Sequence, residues 1–344
     1  MNLEPGEAFG NAGYYAIRPS PGKGNGAFAL KNIKAGTRTL VDQALFVTER
    51  PMPYVNEGDV QRIFANLSPP AKAQFLALPL NALNRNAPDA SLSAKFYSNM
   101  FHIRGQPREG CFGHASRFNH SCAPNCAITT NGQWQQQQCL TIRDVSVGED
   151  LTFSYTEDFL LMTTQERMED LAKGGFSCGC TLCTQPAEDR VVSDLRRMLM
   201  RHMAFLWRGH DSRSAIPQVG AEYVHRHREY IEQQRPIGDT LPMILFAKLA
   251  EAEGIINRLP QLAYGHAIAV VLDHAQANGF RRVPWSALLN IREWSRKARM
   301  IQRLHTGTET YNHDPTEQRF RWLCDRADRI SLSGTLEAHL IRHH

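Results

Sequence analysis

The chain has 344 residues, 42% of them hydrophobic and 21% charged, which suits a large core and two or three globular domains. A net charge of +5 leans mildly toward acidic neighbours, but no run of lysine and arginine is long enough to make a direct nucleic-acid site evident. No basic leader with an apolar core and no apolar stretch of about 18 residues is found, so neither secretion nor a membrane partner is expected. Three of the eight cysteines crowd into six residues, a spacing that suits metal ligands better than disulfides, and the expected setting is reducing and intracellular, nucleus or cytoplasm.

Residues 1–50 read as short strands around a glycine-rich turn. Tyr14, Tyr15 and Ile17 form an extended run that ends at Pro19-Ser20-Pro21, and Lys23-Gly24-Asn25-Gly26 interrupts regular structure before Ala27-Phe28-Ala29-Leu30. Alternate glycines let the backbone approach a bound molecule without a Cβ in the way. The run has neither the ending of a phosphate loop nor the spacing of a dinucleotide site, and taken alone it also reads as a plain hairpin turn. A second turn at Gly36 leads into a strand ending in Ala44-Leu45-Phe46-Val47.

Between residues 58 and 95 the period becomes helical: Val60, Ile63, Phe64 and Leu67, a Pro69-Pro70 break, then Phe75, Leu76, Leu78 and Leu80. Residues 111–155 contain the polar stretch Arg117-Phe118-Asn119-His120-Ser121-Cys122-Ala123-Pro124-Asn125-Cys126, a hairpin around Asn131-Gly132, and the segment Gly148–Tyr155. Trp134 and Gln135–Gln138 are expected on a solvated strand edge. Thr163, Arg167 and Leu171 return to helical spacing and lead to Phe176 and Cys178-Gly179-Cys180-Thr181-Leu182-Cys183.

From about residue 190 the pattern is helical throughout. Successive stripes are Leu195, Met198, Leu199 and Leu206; Leu241, Leu245 and Leu249; Ile268, Val271, Leu272 and Ala275; and Leu288, Ile291, Ala298, Ile301 and Leu304. Asp314-Pro315-Thr316-Glu317 has the makings of a helix start, with Asp as cap and Pro in the first turn. No 34-residue self-match accompanies the helices.

The three clustered thiolates call for a fourth soft ligand to complete a tetrahedral zinc site, and Cys122 and Cys126 both qualify; Cys111, Cys139 and Cys324 read as buried thiols. Asn119 and His120 alone would be turn residues, and Tyr155 alone a core tyrosine.

In their order along the chain, Lys23–Phe28, Asn119-His120-Ser121-Cys122, Gly148-Glu149-Asp150-Leu151-Thr152-Phe153-Ser154-Tyr155 and the cysteine triplet resemble the motifs of the SET-domain methyltransferases. Asn99-Met100-Phe101-His102-Ile103 resembles a strand of the same family. The resemblance implies an α+β chain: a SET β-fold of short strands at 1–189, with a helical insert at about 58–95 and a post-SET cysteine module at 172–186, then an all-helical, tetratricopeptide-like domain at 190–344. That arrangement resembles the MYND-related (SMYD-like) branch, although no cysteine precedes Cys111 and the MYND finger is missing.

The same resemblance implies S-adenosyl-L-methionine held by Lys23, Gly24, Asn25, Gly26, Asn99, Asn119, His120 and Phe176, and Zn(2+) held by Cys122, Cys178, Cys180 and Cys183. It implies a substrate channel lined by Phe118, Phe153 and Tyr155, with Tyr155 catalytic, and methyl transfer to lysine in a protein or peptide. Gly174 stands where members of that branch carry a channel tyrosine. Phe118, Phe159 or a side chain of the helical domain would have to replace that wall. Two alternatives follow from this departure: an inactive SET protein serving as a peptide-binding scaffold, or an enzyme acting on a small-molecule substrate.

Overall fold

β4, Arg38–Val47, is the strand on which the β-rich part is built. The computed structural model describes residues 8–9, 13–81, 91–103, 106–131, 135–208, 240–278, 285–306 and 315–328. It divides into two units, one of residues 1–160, 164–186 and 304–307, the other of 161–163, 187–303 and 308–344. The fold is α+β, with two sheets of short strands and a helical C-terminal region.

In the first sheet, β4 lies between β6 (Glu109–Phe112) and β9 (Gln136–Thr141); β5 (Met100–His102) and β8 (Cys126–Asn131) lie beyond them, and β1 (Ala8–Phe9) also pairs with β4. The second sheet runs β2 (Tyr15–Ser20), β3 (Gly24–Ala29), β10 (Asp150–Phe153), β7 (Asn119–His120). Leu40, Ala44, Phe112, Phe118, Leu151 and Phe153 meet in the core of this unit. Burying each such large side chain contributes about 1.5–3 kcal/mol. β2 ends at Ser20, within the Pro19-Ser20-Pro21 stop, and Pro19 is tolerated in it because an edge strand leaves one row of backbone positions without ladder partners.

The insert forms three helices, α1 (Glu57–Ala65), α2 (Pro69–Leu76) and α3 (Leu92–Tyr97), packed through Val60, Phe75 and Phe96 against Phe46 of β4. Each start has a local cause. Asn56 and Asp59 form a reciprocal capping box, Ser68 caps a helix that opens on two prolines, and Ser91 caps the third.

The glutamine run is a correction. Gln136, Gln137 and Gln138 are buried at 5%, 2% and 4% exposure, not solvated. β9 is an internal strand, paired with β4 on one side and β8 on the other, and the Gln136 amide donates to Gln43 Oε1 at 3.2 Å. That bond across the ladder helps to hold a polar side chain inside, whereas Gln137 Oε1 is buried without a partner. The β8–β9 hairpin forms from Cys126–Thr141 to Asn131–Gln136; Gly132 and Trp134 lie outside the described residues.

The second unit contains helices Ala187–Arg208, Thr240–Ala252, Arg258–Asn278, Trp285–Thr306 and Pro315–Asp328. Ile268, Val271, Leu272 and Ala275 are buried as their spacing indicates, as are Ile291, Ala298 and Ile301. The stripe Leu195, Met198, Leu199 instead faces outward, and Leu241 is exposed too. The buried face of the first of these helices carries Arg197, paired with Glu253 at 3.1 Å. Leu206, Leu288 and Asp314 lie outside what is described of the side chains. Among the described residues, no helix is long and apolar enough to cross a membrane.

Candidate active site

The decapeptide and the Gly148–Tyr155 segment cross. β7 pairs in parallel with β10, Asn119 opposite Thr152 and His120 opposite Phe153, and the Ser121 N–H donates to the Phe153 carbonyl at 3.1 Å. Asn125 binds the crossing: its amide donates to the Asp150 carbonyl at 2.8 Å and to Glu149 Oε1 at 3.1 Å, while its oxygen accepts from Thr152 N–H at 2.8 Å. The sequence reading assigned Asn125 no role.

His120 is the hub. The Tyr155 N–H donates to His120 Nδ1 at 3.2 Å, so the ring proton belongs on Nε2, which lies 3.3 Å from Cys122 Sγ. The ring is tilted against Tyr155 and edge-on to Phe159, both with centroids at 5.1 Å, and Phe176 stands at 6.1 Å. Both ring nitrogens are therefore in use, which leaves the backbone of His120, not its imidazole, for a ligand.

Tyr155 has 51% of its surface exposed, yet its hydroxyl is turned in toward the Phe118 carbonyl at 3.4 Å. Burial of the hydroxyl pushes its pKa up to about 12, so at neutral pH it is a donor and not a base. Phe153 and Phe176 flank the ring at 5.2 and 6.3 Å. The Phe118 carbonyl faces the Tyr155 hydroxyl, while its ring is buried against Tyr15 at 5.1 Å. Gly174 and Gly175 end helix α4 (Thr164–Lys173): their N–H groups bond back to Leu171 and Ala172, and Gly175 has φ 79°. A Cβ on Gly174 would meet the Phe176 ring at 3.9 Å.

Cys122, Cys178, Cys180 and Cys183 bring four sulfurs within 4.8 Å of one another. Sulfurs on a tetrahedral zinc with bonds near 2.3 Å would stand about 3.8 Å apart, so the donor set needs little contraction to fit. Hydrogen bonds from Cys122, then from Cys180 and Cys183, pull Cys178 far below the ordinary thiol range. Cys180 is lowered to about 5, with Cys122 again the leading cause. Cys122 moves up in return, as the proton holder for Cys178. Cys126 is not part of the group; it is buried against Cys139, as are the other lone thiols in their own surroundings.

Gly26, Asn119 and Asp150 form a third cluster. The Asn119 amide donates to Asp150 Oδ2 at 3.2 Å, and a Cβ on Gly26 would stand 2.5 Å from Asn119 Nδ2 and 2.9 Å from Asp150 Oδ1. Close approach, not backbone angle, is what requires glycine there. Burial raises the Asp150 pKa, against the opposing Asn119 bond and the nearby Lys23 charge. The turn before it is a hairpin, with Gly22 at φ 73° and Gly24 at φ 78°, the latter with open space where a side chain would be. Asn99 is apart from this cluster in its bonding, since its amide donates to the Pro79 carbonyl at 2.7 Å and the Lys95 carbonyl at 2.8 Å.

Residues 24–156 match the model of the SET domain family. The chain is 30% identical over 234 residues to the histone-lysine N-methyltransferase set5 of Schizosaccharomyces pombe, spanning 67% of this chain and 68% of that protein. It is 38% identical over 81 residues to the histone-lysine N-methyltransferase SMYD3 of Homo sapiens, covering 23% of this chain and 18% of that one. A SET and MYND domain-containing protein of Dictyostelium discoideum is 34% identical over 95 residues, 25% of this chain and 18% of its own length.

Proposed function

This chain belongs to the SET-domain family of methyltransferases, and from that premise we infer that it is an S-adenosylmethionine-dependent protein-lysine N-methyltransferase whose active centre is the crossing of β7 and β10. The observation that carries this reading is the parallel pairing of Asn119-His120 with Thr152-Phe153, which sets Tyr155 beside the Asn-His pair. S-adenosylmethionine supplies an electrophilic methyl group. The open turn at Gly22–Gly24 and the backbone and amide of Asn119-His120 are the groups that would hold it.

The protein's remaining task is to deliver a neutral amine in line. A lysine with a pKa near ~10.4 costs roughly 3 kcal/mol to hold neutral at about pH 8. Phe153 and Phe176 beside Tyr155, with Phe159 against His120, would desolvate the amine and lower that cost. The protonated hydroxyl of Tyr155 orients without serving as a strong base. The four thiolates would hold zinc in a closed set with no open position for catalysis, so the metal's part is structural. The short matches to the SMYD3 and Dictyostelium proteins support a place in the MYND-related branch without its finger, with the helical unit as its tetratricopeptide-like array. A reducing compartment, nucleus or cytoplasm, suits four reduced thiols.

Gly174 keeps two other readings in play, a peptide-binding scaffold and an enzyme with a small-molecule substrate. Labelled S-adenosylmethionine with a protein extract separates all three. The expected result is label on lysine in protein, falling about 100-fold in Tyr155→Phe (about 2.7 kcal/mol), with the cofactor Kd within about threefold of wild type. Normal cofactor binding without any transfer would establish the scaffold. Label confined to the small-molecule fraction would establish the other enzyme.

A further inference from the structure

We infer that Asp150 is a positioning residue for the cofactor: it turns the Asn119 amide so that the NH2 end faces Asp150 and the carbonyl oxygen is the end offered to the ligand. This rests on the proposed reading of the site as a cofactor pocket. An amide can point either way, and its two ends have opposite hydrogen-bonding character. A carboxylate can only accept, so the 3.2 Å contact between Asn119 and Asp150 Oδ2 demands the NH2 group on that side.

The surroundings hold this orientation. Asp150 Oδ1 is shielded from solvent with no hydrogen-bond partner, and beside the Asn119 amide the carboxylate meets only the Ser20 hydroxyl and the charge of Lys23, both of which keep it an acceptor. Gly26 leaves the space that the NH2 group occupies, since a Cβ would stand 2.5 Å from the nitrogen. Asn119 itself is 6% exposed, so a reversed amide could not turn to water for relief. Among the described residues, the Asn119 carbonyl oxygen takes no hydrogen bond. What it would accept is a donor group of a cationic ligand, and a buried carboxylate one side chain away favours positive charge there as well.

The test exchanges the two groups, with the Kd of S-adenosylhomocysteine measured by calorimetry as the readout. Asp150→Ala frees the amide and should weaken binding at least fivefold. Gly26→Ala, which forces the NH2 group from its place, should do the same. Asn119→Asp sets two carboxylates side by side and should weaken binding at least tenfold. Adding Asp150→Asn to Asn119→Asp restores the pair in reverse, with an acceptor still facing the ligand, and should bring the Kd to within about threefold of wild type. A double variant no tighter than Asn119→Asp overturns the assignment, because the ligand would then need a donor at residue 119. That comparison stands even if Asp150→Ala does not fold. Wild type that binds, with Asp150→Ala folded and unchanged in affinity, overturns the assignment alone. Wild type that binds no S-adenosylhomocysteine at all overturns the reading of the site and this assignment with it.

Discussion

His120 does two separable jobs, and two substitutions divide them. Its Nδ1 accepts from Tyr155 N–H at 3.2 Å, and its Nε2 faces Cys122 Sγ at 3.3 Å. Asparagine places an oxygen near the Nδ1 position and reaches no farther, whereas glutamine places an NH2 group near Nε2. His120→Asn should keep Tyr155 anchored but lose the hydrogen bond to the sulfur. The loss of such an outer contact typically weakens metal affinity 10–100-fold, about 1.4–2.7 kcal/mol. His120→Gln should retain zinc but leave the Tyr155 N–H unpaired, at a cost of about 1–3 kcal/mol locally. Because that N–H sets the placement of the tyrosine, transfer should fall by about tenfold or more. His120→Ala should do both and also open a hole among Tyr155, Phe159 and Phe176, adding about 2–4 kcal/mol of instability. Zinc release to a coloured chelator, a transfer assay at saturating cofactor and thermal melts read the three effects separately. Equal zinc loss in the Asn and Gln variants, or normal zinc and transfer in both, would refute the hub.

Zinc removal or Cys180→Ser should raise hydrogen exchange first in residues 172–186 and leave the β core protected, because three of the four ligands sit in that short segment; simultaneous loss of protection in β4 and β9 would count against it. Asp42, which accepts from the N–H groups of His114 and Ala115, has its pKa pushed up to about 7 by burial. Its folded pKa lies above the unfolded value of about 3.9, so the folded state binds the extra proton and stability should fall as pH rises from about 4 to about 7. Denaturant titrations across that range should show a slope that Asp42→Asn flattens, and an unaltered slope would sink the claim. In the helical unit, Arg197→Met should cost about 1–3 kcal/mol, since Glu253 loses its buried partner but keeps Arg196 at 3.2 Å and the Ser193 hydroxyl, while Arg197→Met with Glu253→Gln recovers part of it; no recovery in the melting temperature would mean the loss was one of packing.

Much of the chemistry was legible along the chain because it depends on residue type and short spacing. Three soft ligands in six residues point to metal without a fold, and Ile268, Val271, Leu272 and Ala275 mark a buried helix face by period alone. The four motifs together announced the SET arrangement. What the chain could not decide was every question about neighbours remote in sequence. Spacing could not choose between Cys122 and Cys126, since both are distant from the triplet; the crossing brings Cys122 to the cluster and leaves Cys126 against Cys139. Polarity placed Gln136–Gln138 in water, but a strand hydrogen-bonded on both edges is interior whatever its side chains, provided they can pair. The outward Leu195, Met198 and Leu199 stripe has the same origin: the buried face holds Met200 and Met203 beside Arg197, and Glu253, on another segment, is what lets the arginine sit inside. Gly26 read as a place where the backbone could approach a bound molecule without a Cβ, and only the arrival of Asn119 and Asp150 from two other strands shows that the missing Cβ also lets these two side chains meet.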